Sequence, residues 1–162
     1  MIRLEIQTPE QMAELGRRIA RQLRAGDIVA LNGELGAGKT TLTRGLGAEL
    51  GVRGAVTSPT FVLARTHPRA DGGTPLVHVD AYRLGSAAEL DDLDIDFDGS
   101  IVVVEWAAGM LDGISDSLLE VSIARPTGAG DASVHAEDLG GPEPRQVTIR
   151  PLGPRWERHP FA

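Results

Sequence analysis

The segment that most constrains this chain is an apolar run that feeds into a glycine-rich turn. Ile28-Val29-Ala30-Leu31 is apolar at every position and reads as a strand buried on both faces. After Asn32 comes Gly33-Glu34-Leu35-Gly36-Ala37-Gly38-Lys39-Thr40, which matches G-x-x-x-x-G-K-[ST] at every fixed position. Leu42 and Leu46 then continue as a helix that Gly51 closes. Strand, phosphate-binding loop and helix are one unit of physics. The glycines let backbone N–H groups curl around phosphate oxygens, and the helix N-terminus adds its positive end. Gly33, Gly36, Ala37, Gly38, Lys39, Thr40 and Thr41 are therefore the candidate nucleotide-binding residues. Lys39 is placed to reach the β- and γ-phosphates of a nucleoside triphosphate, and the Thr40 hydroxyl to ligate Mg²⁺.

Composition sharpens the reading of this loop. Lys39 is the only lysine among 16 basic residues, and it stands where a compact ammonium suits a phosphate. The only asparagine is Asn32, beside the loop. A guanine reader of the Asn-Lys-x-Asp kind therefore has no residues left to form it, which favours ATP over GTP.

Alternating strand and helix patterns surround the motif. Ile2–Ile6 reads as a short strand, and Thr8-Pro9-Glu10-Gln11 as a helix start with Thr8 as N-cap and Gln11 reaching back. Met12, Leu15, Ile19 and Leu23 share one face of that helix. Arg17, Arg18, Arg21 and Arg24 lie roughly opposite, as a solvated face or a docking surface for an acidic partner or RNA. Further strands are expected at 61–66, at Leu76–Val79 ending in Asp80, at Ile101–Val104 ending at Glu105, at Leu118–Ala124 and at Gln146–Arg150. Ser86–Glu89 is a capping box that opens a short acidic helix. The stretch 126–144, rich in Gly, Pro, Ala and Asp, is expected to be a flexible loop, and the tail from Pro151 shows no structural pattern. The expected fold is α/β: a single three-layer P-loop NTPase domain, 1–152, with a mostly parallel sheet and antiparallel C-terminal strands, followed by a tail, 153–162.

A triphosphate site also needs acids near its metal. Ligands of open α/β sheets bind beyond the carboxyl ends of the strands, where Asp80 and Glu105 are expected. One should support Mg²⁺ and the other should position or deprotonate the attacking water; which lies closer to the metal stays open. A rival motif overlaps them, because Asp94–Glu105 fits the spacing of a calcium-binding loop. The β-branched run Ile101–Val104 and the early Gly109 are poor material for the exit helix that loop requires.

The remaining composition narrows the partners. There is no cysteine, no apolar run of about 18 residues and no basic-then-apolar leader, which points to a cytoplasmic protein that does not enter a membrane. The net charge of −7 repels polyanions, so any tRNA contact should be local or delivered by a partner.

Four motifs in order complete the pattern: Gly33–Thr41, Ser58-Pro59-Thr60-Phe61, His78-Val79-Asp80-Ala81-Tyr82-Arg83 and Glu105-Trp106. Over about residues 8–107 the chain resembles the TsaE family, the bacterial ATPase of tRNA threonylcarbamoyladenosine synthesis. The resemblance implies an ATPase, using ATP and Mg²⁺, that works with TsaD and TsaB as they transfer threonylcarbamoyl to the adenosine beside the anticodon of tRNAs reading ANN codons. It implies that Ser58–Phe61 faces the γ-phosphate, with Thr60 as the polar contact, and that Asp80 is the Walker-B-like acid. It implies that Glu105 serves hydrolysis close to Mg²⁺ with Trp106 packed beside it, and that the adenine sits near Thr8 and Gln11. The segment after Ala124 departs from the pattern, and Arg145 is the nucleotide contact assigned there. Two other classes stay in view. A P-loop kinase of a small molecule or nucleotide would need an arginine-bearing lid, for which 65–69 is a short candidate. A nucleotide-dependent module without hydrolysis would need Glu105 to be structural.

Overall fold

The computed structural model describes residues 1–34, 36–54, 56, 64–81, 84, 86–105, 111, 114–125 and 144–162. Among these residues seven strands form one sheet: β1 (Ile2–Ile6), β2 (Ile28–Gly33), β3 (Ala64–His67), β4 (Leu76–Asp80), β5 (Ile101–Glu105), β6 (Leu118–Ala124) and β7 (Arg145–Leu152). Their spatial order is β1-β7-β6-β2-β5-β4-β3. The four central strands, β6, β2, β5 and β4, are parallel, and β3, β7 and β1 add antiparallel pairs at the edges. β2 and β5 open on four apolar residues each, as burial on both faces demands, β4 is broken only by His78 before its terminal Asp80, and β6 alternates between buried and half-buried positions. The carboxyl ends of all four open on one side.

Among the described residues four helices accompany the sheet: α1 (Pro9–Ala20), α2 (Lys39–Leu50), α3 (Ala87–Asp91) and α4 (Pro154–Arg158). The expected cap of α1 forms, with Thr8 Oγ1 accepting from the Gln11 amide at 3.1 Å. Gln11 Oε1 accepts from the amide of Gln7, one residue further out than the capping box anticipates. Side chains alternate along the strands, so the sheet has two cores. Val29, Leu31, Leu76, Ile101, Val103, Leu119, Val121 and Ile149 face α1 and α2, meeting Leu15, Ile19, Leu42 and Leu46. Ile28, Ala30, Val77, Val79, Val102 and Val104 face the other way, under Leu84, Leu90 of α3 and Leu111. This is a three-layer α/β arrangement with one substantial helical face. Among the described residues no helix is long and apolar enough to cross a membrane.

Of the strand predicted over 61–66, residues 64–66 lie in β3, which runs on to His67 and pairs antiparallel with β4, and 61–63 lie outside the described residues. One expectation needs correction. The C-terminal segment expected to be without structure is ordered and part of the core. The last strand runs to Leu152, α4 follows, and Trp156 and Phe161 are buried with α1. Arg155 explains why: it reaches Asp27 with Nε at 2.9 Å from Oδ1 and Nη2 at 3.0 Å from Oδ2, and it donates to the Gln22 carbonyl at 2.8 Å. A five-residue helix carries no periodicity to read. The arginines of α1 are mostly engaged at home. Arg17 pairs with Glu14, Arg21 with Glu14 and Glu49, and Arg18 donates to the Ala162 carbonyl and stacks over Phe161. The expected loop over 126–144 lies, but for Pro144, outside the described residues.

Candidate functional site

The site forms where β2 gives way to α2. The turn between them uses two left-handed glycines, Gly36 at φ +81° and Gly38 at φ +115°. A Cβ on Gly38 would also stand 3.2 Å from Met12 Cε, so the loop is seated against α1. No side chain caps α2 at Gly38. The amide hydrogens of a helix's first turn have no partner within the helix, so those of Lys39, Thr40 and Thr41 point out of the N-terminus with the positive end of the dipole. That is the donor set a phosphate group requires.

Lys39 is buried, 8% exposed, and its Nζ donates to the Gly33 carbonyl at 2.6 Å. Burial pulls its ammonium below the ordinary lysine range, while Glu105 and then Asp80 act to raise it. The lysine and the two acids thus lie in one field. Sheet register explains how. Asp80 is paired with Glu105 across β4 and β5, and Glu105 with Leu31 across β5 and β2. Neighbouring strands run about 4.8 Å apart, and both acids fall on the face that packs α2. Glu105 is 6% exposed; Asp80 is half-buried.

These residues suit Mg²⁺ held jointly with a triphosphate. Among the described residues no three His, Cys, Asp or Glu side chains gather into a self-sufficient metal site. Magnesium needs no such cage, since it binds through one or two carboxylates plus substrate phosphates and water. Thr40, half-buried at the second position of α2, and the acids Asp80 and Glu105 supply oxygen ligands of that kind.

The flanks of the loop come from the C-terminal strands and from α1. Arg145 opens β7 and donates from Nε to the Ala37 carbonyl at 3.1 Å and from Nη2 to the Gly36 carbonyl at 3.4 Å. Ile6, at the end of β1, is paired with Arg145, which brings the start of α1 with Thr8 and Gln11 to the same side. Both of those side chains are engaged in the helix cap. Arg125, at the end of β6, was not singled out from sequence; its Nη1 lies 3.9 Å from where a Cβ on Gly36 would sit. His78 was also passed over as a site residue. It lies two residues before Asp80 on the same face, a period-2 signal the sequence did contain. Its Nε2 is 3.3 Å from Glu105 Oε1.

Thr60 with the rest of Ser58–Phe61, Tyr82-Arg83 and Trp106 lie outside the described residues. The approach to the first of these segments is fixed on α2, where Arg44 Nε donates to the Val56 carbonyl at 3.0 Å. A cleft of about 480 Å³ lined by Arg24, Asp116, Arg155 and Arg158 lies at the opposite end of the sheet and shares no residue with the phosphate loop.

The chain is similar to known proteins over most of its length. The family model described as threonylcarbamoyl adenosine biosynthesis protein TsaE matches residues 6–131. A tRNA threonylcarbamoyladenosine biosynthesis protein TsaE of Streptomyces coelicolor is 55% identical over 148 residues, covering 90% of this chain and 93% of that protein. Its counterpart in Bacillus subtilis is 34% identical over 150 residues, covering 92% and 85%. The crystal structure of Bacillus subtilis YdiB is similar with a TM-score of 0.68 at 31% identity, covering 97% of this chain and 89% of that one.

Proposed function

The chain belongs to the TsaE family of threonylcarbamoyl adenosine biosynthesis proteins, and from that premise we propose that it is a Mg²⁺-dependent ATPase serving TsaD and TsaB homologues. In this reading the TsaD–TsaB pair transfers threonylcarbamoyl to the adenosine beside the anticodon of tRNAs reading ANN codons, and the present chain supplies a hydrolysis cycle to that assembly. It meets tRNA only through the complex or at a local contact. The observation that carries the reading is the convergence of Lys39, Asp80 and Glu105 at the carboxyl ends of adjacent strands, beside an uncapped α2.

Each residue then has a task. The amides of Gly36–Thr41 hold the phosphates, and Lys39 neutralises charge on the β- and γ-phosphoryl oxygens. Thr40 and Asp80 would hold Mg²⁺ together with the nucleotide, and the ion would supply positive charge against the negative charge that develops in the transition state. Glu105 orients a water for attack on the γ-phosphorus and accepts its proton. The bond to the β-phosphate oxygen breaks, leaving ADP and inorganic phosphate. Thr60 contacts the γ-phosphate; Gly33, Thr8, Gln11 and Arg145 shape the nucleotide's remaining contacts.

The segment 65–69, the lid candidate of the kinase alternative, is held at the sheet edge. Residues 64–67 are the edge strand β3, and Arg69 is paired with Asp71 at 3.3 Å. Co-purification with a TsaD–TsaB pair, with and without ATP, tests the proposal alongside phosphate release. Nucleotide-dependent association and an altered hydrolysis rate are expected. Phosphorylation of a small metabolite, unaffected by the partners, would establish the kinase instead.

A further inference from the structure

His78 is fully buried, yet neither of its ring nitrogens has a hydrogen-bond partner among the described residues. It sits in an apolar stretch of the α2-facing core, between Leu76 and Asp80 along β4 and opposite Val103 of β5. Burying a polar group unpaired opposes folding, and an aliphatic side chain in that position would be cheaper. Among the described residues Glu105 Oε1 is set against it, 3.3 Å from Nε2 and short of hydrogen-bond alignment. Glu105 itself is 6% exposed, on the same face and one ladder position nearer the phosphate loop. The other groups on this face are Asp80, Lys39 across the site, and Arg65 and His67 on β3.

We infer that His78 is a positioning residue for Glu105: its Nε2, 3.3 Å from Oε1, closes to a hydrogen bond when the site is loaded and fixes the carboxylate so that Oε2 is left for the attacking water or the metal. The inference rests on the ATPase reading of the site. A glutamate has three rotatable side-chain torsions, and holding one oxygen removes the freedom that matters for in-line attack. The arrangement calls for a neutral imidazole with its proton on Nε2 and a bare Nδ1 facing the apolar core. That tautomer is the one a ring nitrogen pointed at a carboxylate adopts. His78 touches neither phosphate nor metal in this scheme and acts only through Glu105.

Two variants separate positioning from mere packing. His78→Leu fills the space without a donor, and His78→Gln carries an amide N–H to nearly the Nε2 position. Phosphate release, affinity for a fluorescent ATP analogue and thermal stability are measured for each in the full chain with its partner pair. His78→Leu is expected to lower kcat by about 10- to 100-fold, the scale of a misplaced reacting group. Its nucleotide Kd should stay near wild type and its melting temperature should be no lower than wild type, and His78→Gln should recover most of the rate. Nitrogen-15 spectra of labelled histidine should show His78 protonated on Nε2, with that signal moved by Glu105→Gln. A wild-type rate in His78→Leu, a parallel loss of rate, affinity and stability in both variants, or a proton on Nδ1 would each overturn the inference. If the wild-type chain does not hydrolyse ATP, the ATPase reading fails by itself, and the spectra still decide whether His78 holds Glu105.

Discussion

The contact between α1 and α2 sets where the phosphate loop sits, and it can be probed with one methyl group. A Cβ built on Gly45 would lie 2.1 Å from the Ala13 carbonyl oxygen and 2.7 Å from its carbon. A Cβ on Gly16 would lie 2.1 Å from the Leu42 carbonyl oxygen. The helices therefore cross with backbone against backbone, and no side chain is available to yield. Cβ atoms essentially never come within 3.0 Å of such atoms, so Gly45→Ala must part the helices by about 1 Å. Overpacking of this kind costs about 1–3 kcal/mol, and rigid backbone places it toward the upper end. Alanine returns about 1 kcal/mol through its better helix propensity. The net expectation is a loss of about 2 kcal/mol, or a melting temperature lower by about 4–8 °C in a chain of this size. Since α2 begins at Lys39, nucleotide affinity should fall as well. Gly16→Ala combined with Gly45→Ala should cost less than the sum, because the first substitution already opens the gap. Urea and thermal unfolding of the three variants provide the measurement. A Gly45→Ala protein as stable as wild type or more so, as helix propensity alone would give, refutes the close-packed crossing.

Two further outcomes follow from the same structure. Arg155→Ala strands the buried carboxylate of Asp27 and should cost about 3–5 kcal/mol in urea unfolding, while Asp27→Asn with Arg155→Met should cost less than the two single changes together. His67 is buried and its imidazole is pushed below the ordinary histidine range, chiefly by desolvation and further by the Arg65 guanidinium. The unfolded chain therefore takes up that proton more readily than the folded one, so its stability contribution is present above an unfolded pKa of about 6.5 and is lost as pH falls through and below it. Melting temperatures between pH 7.5 and 5 should decline in wild type and decline less in His67→Leu; identical slopes would contradict the assignment.

Much of the site was legible because its signals are local. The phosphate loop, the apolar strands β2, β4 and β5, and the Thr8 cap each declare themselves within a few residues, through glycine spacing, continuous apolarity or a side chain three positions away. Asp80 and Glu105 could be placed at strand ends without knowing that β4 and β5 are neighbours. What could not be read depends on register between distant segments. The pairing of Asp80 with Glu105 needs the strand order, and the crossing at Gly16 and Gly45 needs the relative rotation of two helices. The ordering of the C-terminus draws on distant contacts, among them the bidentate pair of Arg155 with Asp27 and the burial of Trp156 and Phe161, and no pattern near those residues announces it. The Ser58–Phe61 motif carries much of the family resemblance, but its role rests on that resemblance and awaits the variant Thr60→Ala.

The central claim is that Lys39 and Glu105 make this chain an ATP-hydrolysing member of its family. Phosphate release from Mg²⁺-ATP by wild type, Lys39→Ala and Glu105→Ala, each alone and with a TsaD–TsaB pair, tests it most directly. Slow release by wild type that changes with the partners is predicted, with both variants near the blank and Glu105→Ala alone still binding ATP. Equal rates in all three proteins would contradict the account.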